Sequence, residues 1–386
     1  MNAVLDRGRT VGRALLVPAL ALLTALVVGG LVIAFSDPDT LNEWGEFFGD
    51  PVGALSSSWD IVSESYRALW ESSLGSPSAL GRTLVETTPL ALAGLSVALA
   101  FRSGLFNIGA AGQLIVGATC AGWVGFTWDL PRAIHLPLAL IAGALGGAAW
   151  GAIAGALKAW TGAHEVITTI MLNYVSYRLL DYALRSTAFQ RPGRNDPISK
   201  PVAESARLPE VAIGELRFHA GLFLAVAAVL FVWWLLGRST LGFRMKAVGA
   251  NPFASRYAGM QVGATYVVSM ALAGGLAGLA GTSNILGRPS YSLTGGYYSE
   301  VGFDAIAVAL LGRANPFGVL GAAFLFGVLR AGSTGMQAAT STPVDIIVVI
   351  QALIIVFVAA PHLVRAIYRV RTRRAAEPAF TTNWGS

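Results

Sequence analysis

Charge is what this sequence has least of. Only 12% of its 386 residues are Asp, Glu, Lys or Arg, about half the share carried by a soluble domain. So little polar surface cannot coat a water-soluble globule. That excludes a soluble enzyme, a nucleic-acid-binding domain and a disordered chain. There is one cysteine, Cys120, in an apolar stretch, so no intramolecular disulfide is possible and a packing role is expected. The four histidines, His135, His164, His219 and His362, are scattered, and neither HExxH nor CxxC occurs. No metal site and no catalytic residue are therefore expected. There is no G-x-S-x-G, and no GxxxxGK[ST] phosphate loop. If ATP drives this protein, another chain binds it.

What is abundant is apolar sequence: 54% hydrophobic residues and 45 glycines, with a mean hydropathy of +0.61. It comes in blocks long enough to make lipid the solvent for most of the chain. The first, 14–35, follows Arg7, Arg9 and Arg13. At about 22 residues it suits an uncleaved helix better than a signal peptide, whose apolar region runs about 7–15 residues. Further blocks run at about 83–101, 105–126, 134–160, 164–183, 218–237, 263–286, 302–312, 316–332 and 343–360. The expected fold is an all-α membrane protein of about ten transmembrane segments, some broken or re-entrant, with both termini on the cytoplasmic side. Block 302–312 is too short to cross as a regular helix and is the expected broken element.

Lys and Arg set the orientation. With the N-terminus inside, the inner segments carry fifteen and the outer segments ten, while Arg178 and Arg330 fall within spans. Loop 238–262 has four basic residues and no acid, and the tail RAIYRVRTRR has five and none. Both should face the cytoplasm. The organisation expected is a cytoplasmic N-terminus at 1–13, one membrane domain at 14–360 with outer loops at about 36–82 and 184–217, and a basic cytoplasmic tail at 361–386. Within the first outer loop, 55–75 is expected to form a short surface helix.

Gly143, Gly147, Gly151 and Gly155 repeat every four residues, and Gly274 and Gly278 repeat the device later. Such stripes let membrane helices approach closely and point to a compact bundle. Five acids lie in or beside blocks: Glu86, Glu165, Asp181, Asp304 and Asp345. Each is within about three residues of a block end. Because an ionisable group at mid-membrane is costly and usually functional, their placement argues against ion coupling and for an uncharged cargo. The most polar block, HEVITTIMLNYVSYRLLDYAL, puts Thr169, Asn173 and Tyr177 on one helix face, with Tyr174, Arg178 and Asp181 as the adjacent stripe. The glycine-rich stretch 101–118 holds Asn107 and Gln113 and is expected to interrupt a helix. Asn107, Gln113, Thr169, Asn173, Tyr174 and Tyr177 are the candidate wall of a translocation path. Interhelical polar contact is the competing role.

In the loop GFRMKAVGANPFASRYAGM, Asn251 is a good N-cap and Pro252 suits the first helical position. A short basic helix should start there and end near Gly259, placed to meet a cytoplasmic partner. ANPF recurs at 314–317 and is expected to begin a short turn on the same surface.

Four stretches together, FNIGAAGQLIVGA at 106–118, HEVITTIMLNYVSY at 164–177, VGANPFASRYAG at 248–259 and GFDAIAVALLGRANPFG at 302–318, resemble the permease subunits of bacterial ABC importers. The superfamily is that of the ribose and branched-chain amino-acid permeases, and the branch is the nucleoside type associated with BMP lipoproteins. The resemblance covers roughly residues 80–360. It implies a ten-helix permease of the bacterial cytoplasmic membrane that pairs with a second permease, a paralogue or an identical copy. It also implies a cytoplasmic ABC ATPase that binds ATP and magnesium, and an extracytoplasmic solute-binding lipoprotein. No cofactor on this chain and no nucleic-acid partner are implied. The Asn251-capped helix becomes the coupling helix, with Asn251, Pro252, Phe253, Ser255 and Arg256 as its ATPase-coupling residues. The chain departs from related sequences at Ala111, where they often carry an acid, so a charge-dependent role for that motif does not carry over. The expected cargo is a neutral polar solute, a nucleoside first. The alternatives are a monosaccharide importer and an ATP-independent channel or secondary carrier.

Overall fold

The computed structural model describes residues 19–194, 196–294, 297–343 and 345–369. The expectations on residues 1–18 and 370–386, including Arg7, Arg9, Arg13, Arg371, Arg373 and Arg374, lie outside the described residues. In chain order the elements begin with helices α1 (Ala19–Ala34), α2 (Pro38–Gly45), α3 (Pro51–Ser73), α4 (Pro77–Arg102), α5 (Ala110–Thr127), α6 (Arg132–Thr161) and α7 (Glu165–Arg185). Strands β1 (Glu210–Ile213) and β2 (Leu216–His219) follow. Helices α8 (Gly221–Arg238), α9 (Thr240–Ala250), α10 (Pro252–Tyr257), α11 (Val262–Gly287), α12 (Tyr297–Leu311), α13 (Pro316–Thr340), α14 (Asp345–Ala359) and α15 (Pro361–Ile367) complete the described residues.

Five of these helices open on the same signal, a short capping side chain followed by proline. Asp37, Asp50, Ser76, Asn251 and Asn315 accept hydrogen bonds from backbone amides of the first turns of α2, α3, α4, α10 and α13. The following proline needs no donor at that position. α1 and α2 meet at a 78° bend.

Every expected apolar block contains a helix. By length and composition six of them can cross a membrane, or seven if the bent α1–α2 pair counts as one span. α4 is the central helix, with 78% of its apolar window buried. Around it stand α5, α8, α11, α12 and α13. α6 packs along α11 through the glycine stripe. Gly143, Gly147, Gly151 and Gly155 are all buried. A Cβ on Gly147 would strike the Gly274 carbonyl and stand 2.7 Å from the Gly278 Cα. The stripe is thus a packing device, which is how helices gain contact where lipid removes the hydrophobic drive. A second apolar cluster joins α1, α3, α13 and α14 through Ile33, Leu69, Leu329, Ile350 and Ile354.

Several expectations are corrected. The helix expected at 55–75 runs from Pro51 to Ser73 and is not confined to the surface. Its C-terminal half packs on α1 and α13, where the Tyr66 hydroxyl donates to the Leu26 carbonyl at 2.5 Å and Ser65 to Thr340 at 3.1 Å. Block 302–312 is not broken. It is one helix that starts earlier, in the polar Tyr297–Glu300 turn that hydropathy overlooks. Asp304 therefore lies at mid-helix, not at an end. The glycine-rich stretch does not interrupt a span either: residues 103–109 are the turn between α4 and α5. Loop 238–262 holds two helices rather than one. The second ANPF opens the 25-residue α13 rather than a short turn. The connection at 186–220 is not all irregular. It contains a 3₁₀ turn at Glu204–Ala206 and the antiparallel hairpin β1–β2, in register from Glu210 opposite His219 to Ile213 opposite Leu216.

The connections sort onto two ends of the bundle. At one end β2 lies on the start of α4, where Gly81 meets the Arg217 backbone, and on the finish of α11, where Gly287 meets the His219 ring. His135 fastens this end, one ring nitrogen 2.7 Å from Ser205 and the other 3.0 Å from the Val124 carbonyl. At the opposite end the α4–α5 turn meets the α9–α10 and α12–α13 turns.

Candidate functional site

The α4–α5 turn is built around side-chain amides. Asn107 Nδ2 donates to Gln113 Oε1 at 2.9 Å and to Ser96 at 3.3 Å. Its Oδ1 accepts from Gln113 Nε2 at 3.1 Å and from the Gly109 amide at 3.0 Å. Asn173 on α7 crosses to the same turn. Its Oδ1 accepts from the Gly112 amide at 2.8 Å, and its Nδ2 donates to the Ile108 carbonyl at 2.9 Å. Thr169 gives its hydroxyl to the Glu165 carbonyl at 2.7 Å and packs its methyl over Gly109. Asn107, Gln113, Thr169 and Asn173 are each at most 2% exposed. Buried backbone polar groups need partners, and these amides supply them to the Gly109 amide, the Ile108 carbonyl and the Gly112 amide in the first turn of α5. Four of the six candidate path residues thus meet in one internal polar knot, with their hydrogen-bonding capacity directed inward.

Tyr174 and Tyr177 are placed differently. Tyr174 is 61% exposed, and the two rings meet edge to face with centroids 6.1 Å apart. The Tyr177 hydroxyl is buried and has no hydrogen-bond partner among the described residues. Beside them Arg178 is paired with Asp181 at 3.5 Å and stands 87% exposed, and Tyr182 is 77% exposed. Arg178 is the fourteenth residue of the 21-residue α7. α7 therefore backs onto the knot with one face and turns a mixed face outward, in which Tyr174, Arg178 and Tyr182 stand among the exposed aliphatic side chains of Ile167, Met171 and Leu179.

At the end of the bundle that holds the α9–α10 turn, Asn251 caps the six-residue α10, its Oδ1 accepting from the Ala254 amide at 2.9 Å. Pro252 fills the first helical position and Ser255 is buried against the bundle. Phe253 is 73% exposed, Tyr257 95%, and Arg256 lies between them on the outside. Phe253 and Tyr257 are four residues apart and so share one face. A groove of about 480 Å³ runs beside them, lined in part by Phe243, Arg244 and Met260. Tyr257 was not among the expected coupling residues. The aromatic i, i+4 pair in an otherwise polar loop is the signal that marks it.

Two half-buried ion pairs complete the picture. Arg330 reaches Asp304 at 3.0 Å, with Glu300 at 3.6 Å. They stand at mid-helix on α13 and α12. At the hairpin end Arg288 reaches Glu86 at 2.7 Å and donates to Asn284 at 3.1 Å. His219 lies in this neighbourhood. Burial, with Arg288 adding to it and Glu86 opposing, pushes its imidazole down to about 4. Neither pair was visible as a pair, because the partners lie 26 and 202 residues apart. Asp304 is neutralised in place by Arg330, so its mid-helix position does not create the free carboxylate that ion coupling would use. Among the described residues no three His, Cys, Asp or Glu come together as a metal site.

The family model of the permease component of the branched-chain amino acid transport system matches residues 79–359. The chain is 39% identical to the guanosine ABC transporter permease protein NupP of Bacillus subtilis, over 91% of this chain and 94% of that one. It is 38% identical to the nucleoside ABC transporter permease protein NupB of Lactococcus lactis, over 78% and 84%. It is 35% identical to the glucose ABC transporter permease protein TsgB13 of Haloferax volcanii, over 92% and 89%. The first two organisms each have a further, more distant relative, NupQ and NupC, both 27% identical to this chain. No solved structure matches it.

Proposed function

This chain belongs to the branched-chain amino acid transport system permease family, and from that premise we propose that it is the membrane subunit of an ATP-driven importer of nucleosides. The likeness to two nucleoside permeases over most of the chain carries this reading. The glucose permease relative favours one second cargo, a monosaccharide.

The transporter has a second permease subunit, as the paired relatives NupP with NupQ and NupB with NupC support. The outward face of α7 is where it docks. A paired but exposed Arg178, about 10 Å from the nearer end of α7 at 1.5 Å per residue, does not suit acyl chains. Protein or water must cover it. The solute path runs along this face, with Tyr174 and Tyr177 as its wall and Asn107, Gln113, Thr169 and Asn173 as the rigid backing. The described helices make ten crossings, α7, α12 and α14 being carried by packing rather than by apolar length. Loop 238–262 and both termini lie in the cytoplasm, and the β1–β2 hairpin lies outside, where a solute-binding lipoprotein delivers the cargo. ATP and magnesium are held by a separate ATPase, which grips α10 through Phe253, Arg256 and Tyr257. The membrane is the bacterial cytoplasmic membrane.

Uptake of labelled uridine tests this reading, in cells whose partner ATPase has its catalytic glutamate replaced. Loss of uptake is expected. Unchanged uptake rejects ATP drive and favours a channel or secondary carrier. Competition by unlabelled glucose, but not by adenosine, would select the monosaccharide.

A further inference from the structure

Both ANPF tetrapeptides are reached by one turn. Gly249, two residues before Asn251, presses its backbone against residues 102–104. A Cβ on Gly249 would stand 2.7 Å from the Arg102 carbonyl oxygen and 2.7 Å from the Gly104 nitrogen. Gly104 has φ +71°, and a Cβ there would stand 2.8 Å from the Gly249 Cα. Glycine is thus required on both sides, by conformation on one and by close approach on both. From the same turn Arg102 Nε donates to the Ala314 carbonyl at 2.9 Å. Ala314 immediately precedes the Asn315 cap of α13, and it sits with Arg313 in a left-handed turn, φ +49° and +54°. That turn is tight: a Cβ on Gly318 would strike the Gly312 carbonyl.

We propose that Arg102 is a positioning residue for energy coupling, tying the start of α13 to the base of α10 so that a displacement of α10 is delivered to α12 and α13. The proposal rests on the reading of α10 as the ATPase contact. The backbone contact between Gly249 and residues 102–104 links the end of α9, and through Asn251 the start of α10, to the α4–α5 turn. On its far side the turn is already bound to α7 through Asn173, and Asn107 with Gln113 braces it from within. Arg102 is the hydrogen bond that extends this unit to α13, through which the motion reaches the Asp304–Arg330 pair. The carbonyl of a left-handed turn cannot serve the helix ladder, so it is free to accept a side chain.

The test uses the complete transporter in vesicles. Arg102→Met keeps the side chain as far as the position of Nε and removes the donor. Arg102→Gln removes the charge but keeps an N–H donor at the position of Nε. Arg102→Met is expected to assemble with its partners and to lower the solute moved per ATP hydrolysed by up to about tenfold, the upper end of what one hydrogen bond from the exposed Arg102 carries. Arg102→Gln is expected to stay within about threefold of the parent, since it keeps the bond without the charge. If Arg102→Met transports with parental coupling, the proposal is wrong. It is equally wrong if both variants fail to assemble, since Arg102 is then only structural, or if Arg102→Gln falls as far as Arg102→Met, since charge alone is then the cause. A Tyr257→Cys variant in a Cys120→Ser background separates the two readings. If it cross-links to the ATPase while Arg102→Met is neutral, only the Arg102 proposal falls. If no cross-link to the ATPase forms, the α10 reading falls, and this proposal with it.

Discussion

Asn173 and Gly112 are joined across two helices, the side-chain oxygen of one accepting the backbone amide of the other at 2.8 Å. The same side chain returns a donor to the Ile108 carbonyl, so one amide closes a carbonyl of the α4–α5 turn and an amide of the first turn of α5. Cutting this link leaves a buried amide and a buried carbonyl unpaired, at about 1–3 kcal/mol for each such group. Asn173→Ala should therefore lower the thermal stability of the purified permease in detergent. Tyr174→Phe, on the outward face, should leave stability unchanged and act only on uptake. Parental stability in Asn173→Ala would mean that the knot does not hold the turn.

The Asp304–Arg330 pair is half-buried at mid-helix, and Asp304 depends on Arg330, which Glu300 also reaches at 3.6 Å. Breaking a fully buried pair from one side costs about 3–5 kcal/mol, an upper bound for this half-buried one, while replacing both members with apolar groups can be nearly neutral. Asp304→Leu alone and Arg330→Met alone should each reduce the folded yield sharply. The double variant should recover most of it, as read by the monodisperse fraction after solubilisation. A double variant no better than the worse single one would mean that the pair does not act as a unit.

His219 gives the hairpin a dependence on pH. Its imidazole has an ordinary value of 6.5 and is pushed down to about 4 in the fold. Between those values the unfolded hairpin binds a proton and the folded hairpin does not, so acid favours opening. The contribution is fully present above pH 6.5, is lost progressively as the pH falls towards 4, and levels off below that. Amides 210–219 should therefore exchange faster at pH 5 than at pH 7 once intrinsic rates are divided out. His219→Asn keeps an acceptor where Nδ1 now takes the Gly221 amide at 3.2 Å, cannot ionise, and should abolish the difference.

How much of this was legible in the sequence follows from the range of each interaction. The Asn251–Pro252 start of α10 is local, and cap and proline act within one turn, so two residues were enough to read it. The stripe from Gly143 to Gly155 is also local, although its partner helix was not. The hairpin had a local signal too, in EVAI and LRFH joined by Gly214–Glu215, but hydropathy blocks hid it. What could not be read is long-range. Asn107 could not be told to pair with Gln113 rather than face a solute, and nothing joins Glu86 to Arg288 before the chain folds. Polarity on a membrane helix shows that a partner exists. It does not show whether the partner is the solute, another helix or a second subunit.

The capped start of α10 yields the sharpest prediction for coupling. Asn251 supplies the one side-chain acceptor for the first turn of a six-residue helix, and so short a helix has no propensity to spare. Loss of an N-cap costs about 0.5–2 kcal/mol, and replacing Pro252 with glycine frees a fixed φ and adds to that. Asn251→Ala with Pro252→Gly should leave the spans intact, since the core does not include these residues. It should nevertheless let ATP hydrolysis run without solute movement, because Phe253 and Tyr257 no longer share a face. The check is the ratio of uptake to ATP hydrolysed in reconstituted complex, alongside the amount of ATPase retained on purification. A parental ratio in that double variant would take α10 out of the drive. A ratio restored by returning Asn251 alone would assign the effect to the cap and not to the proline.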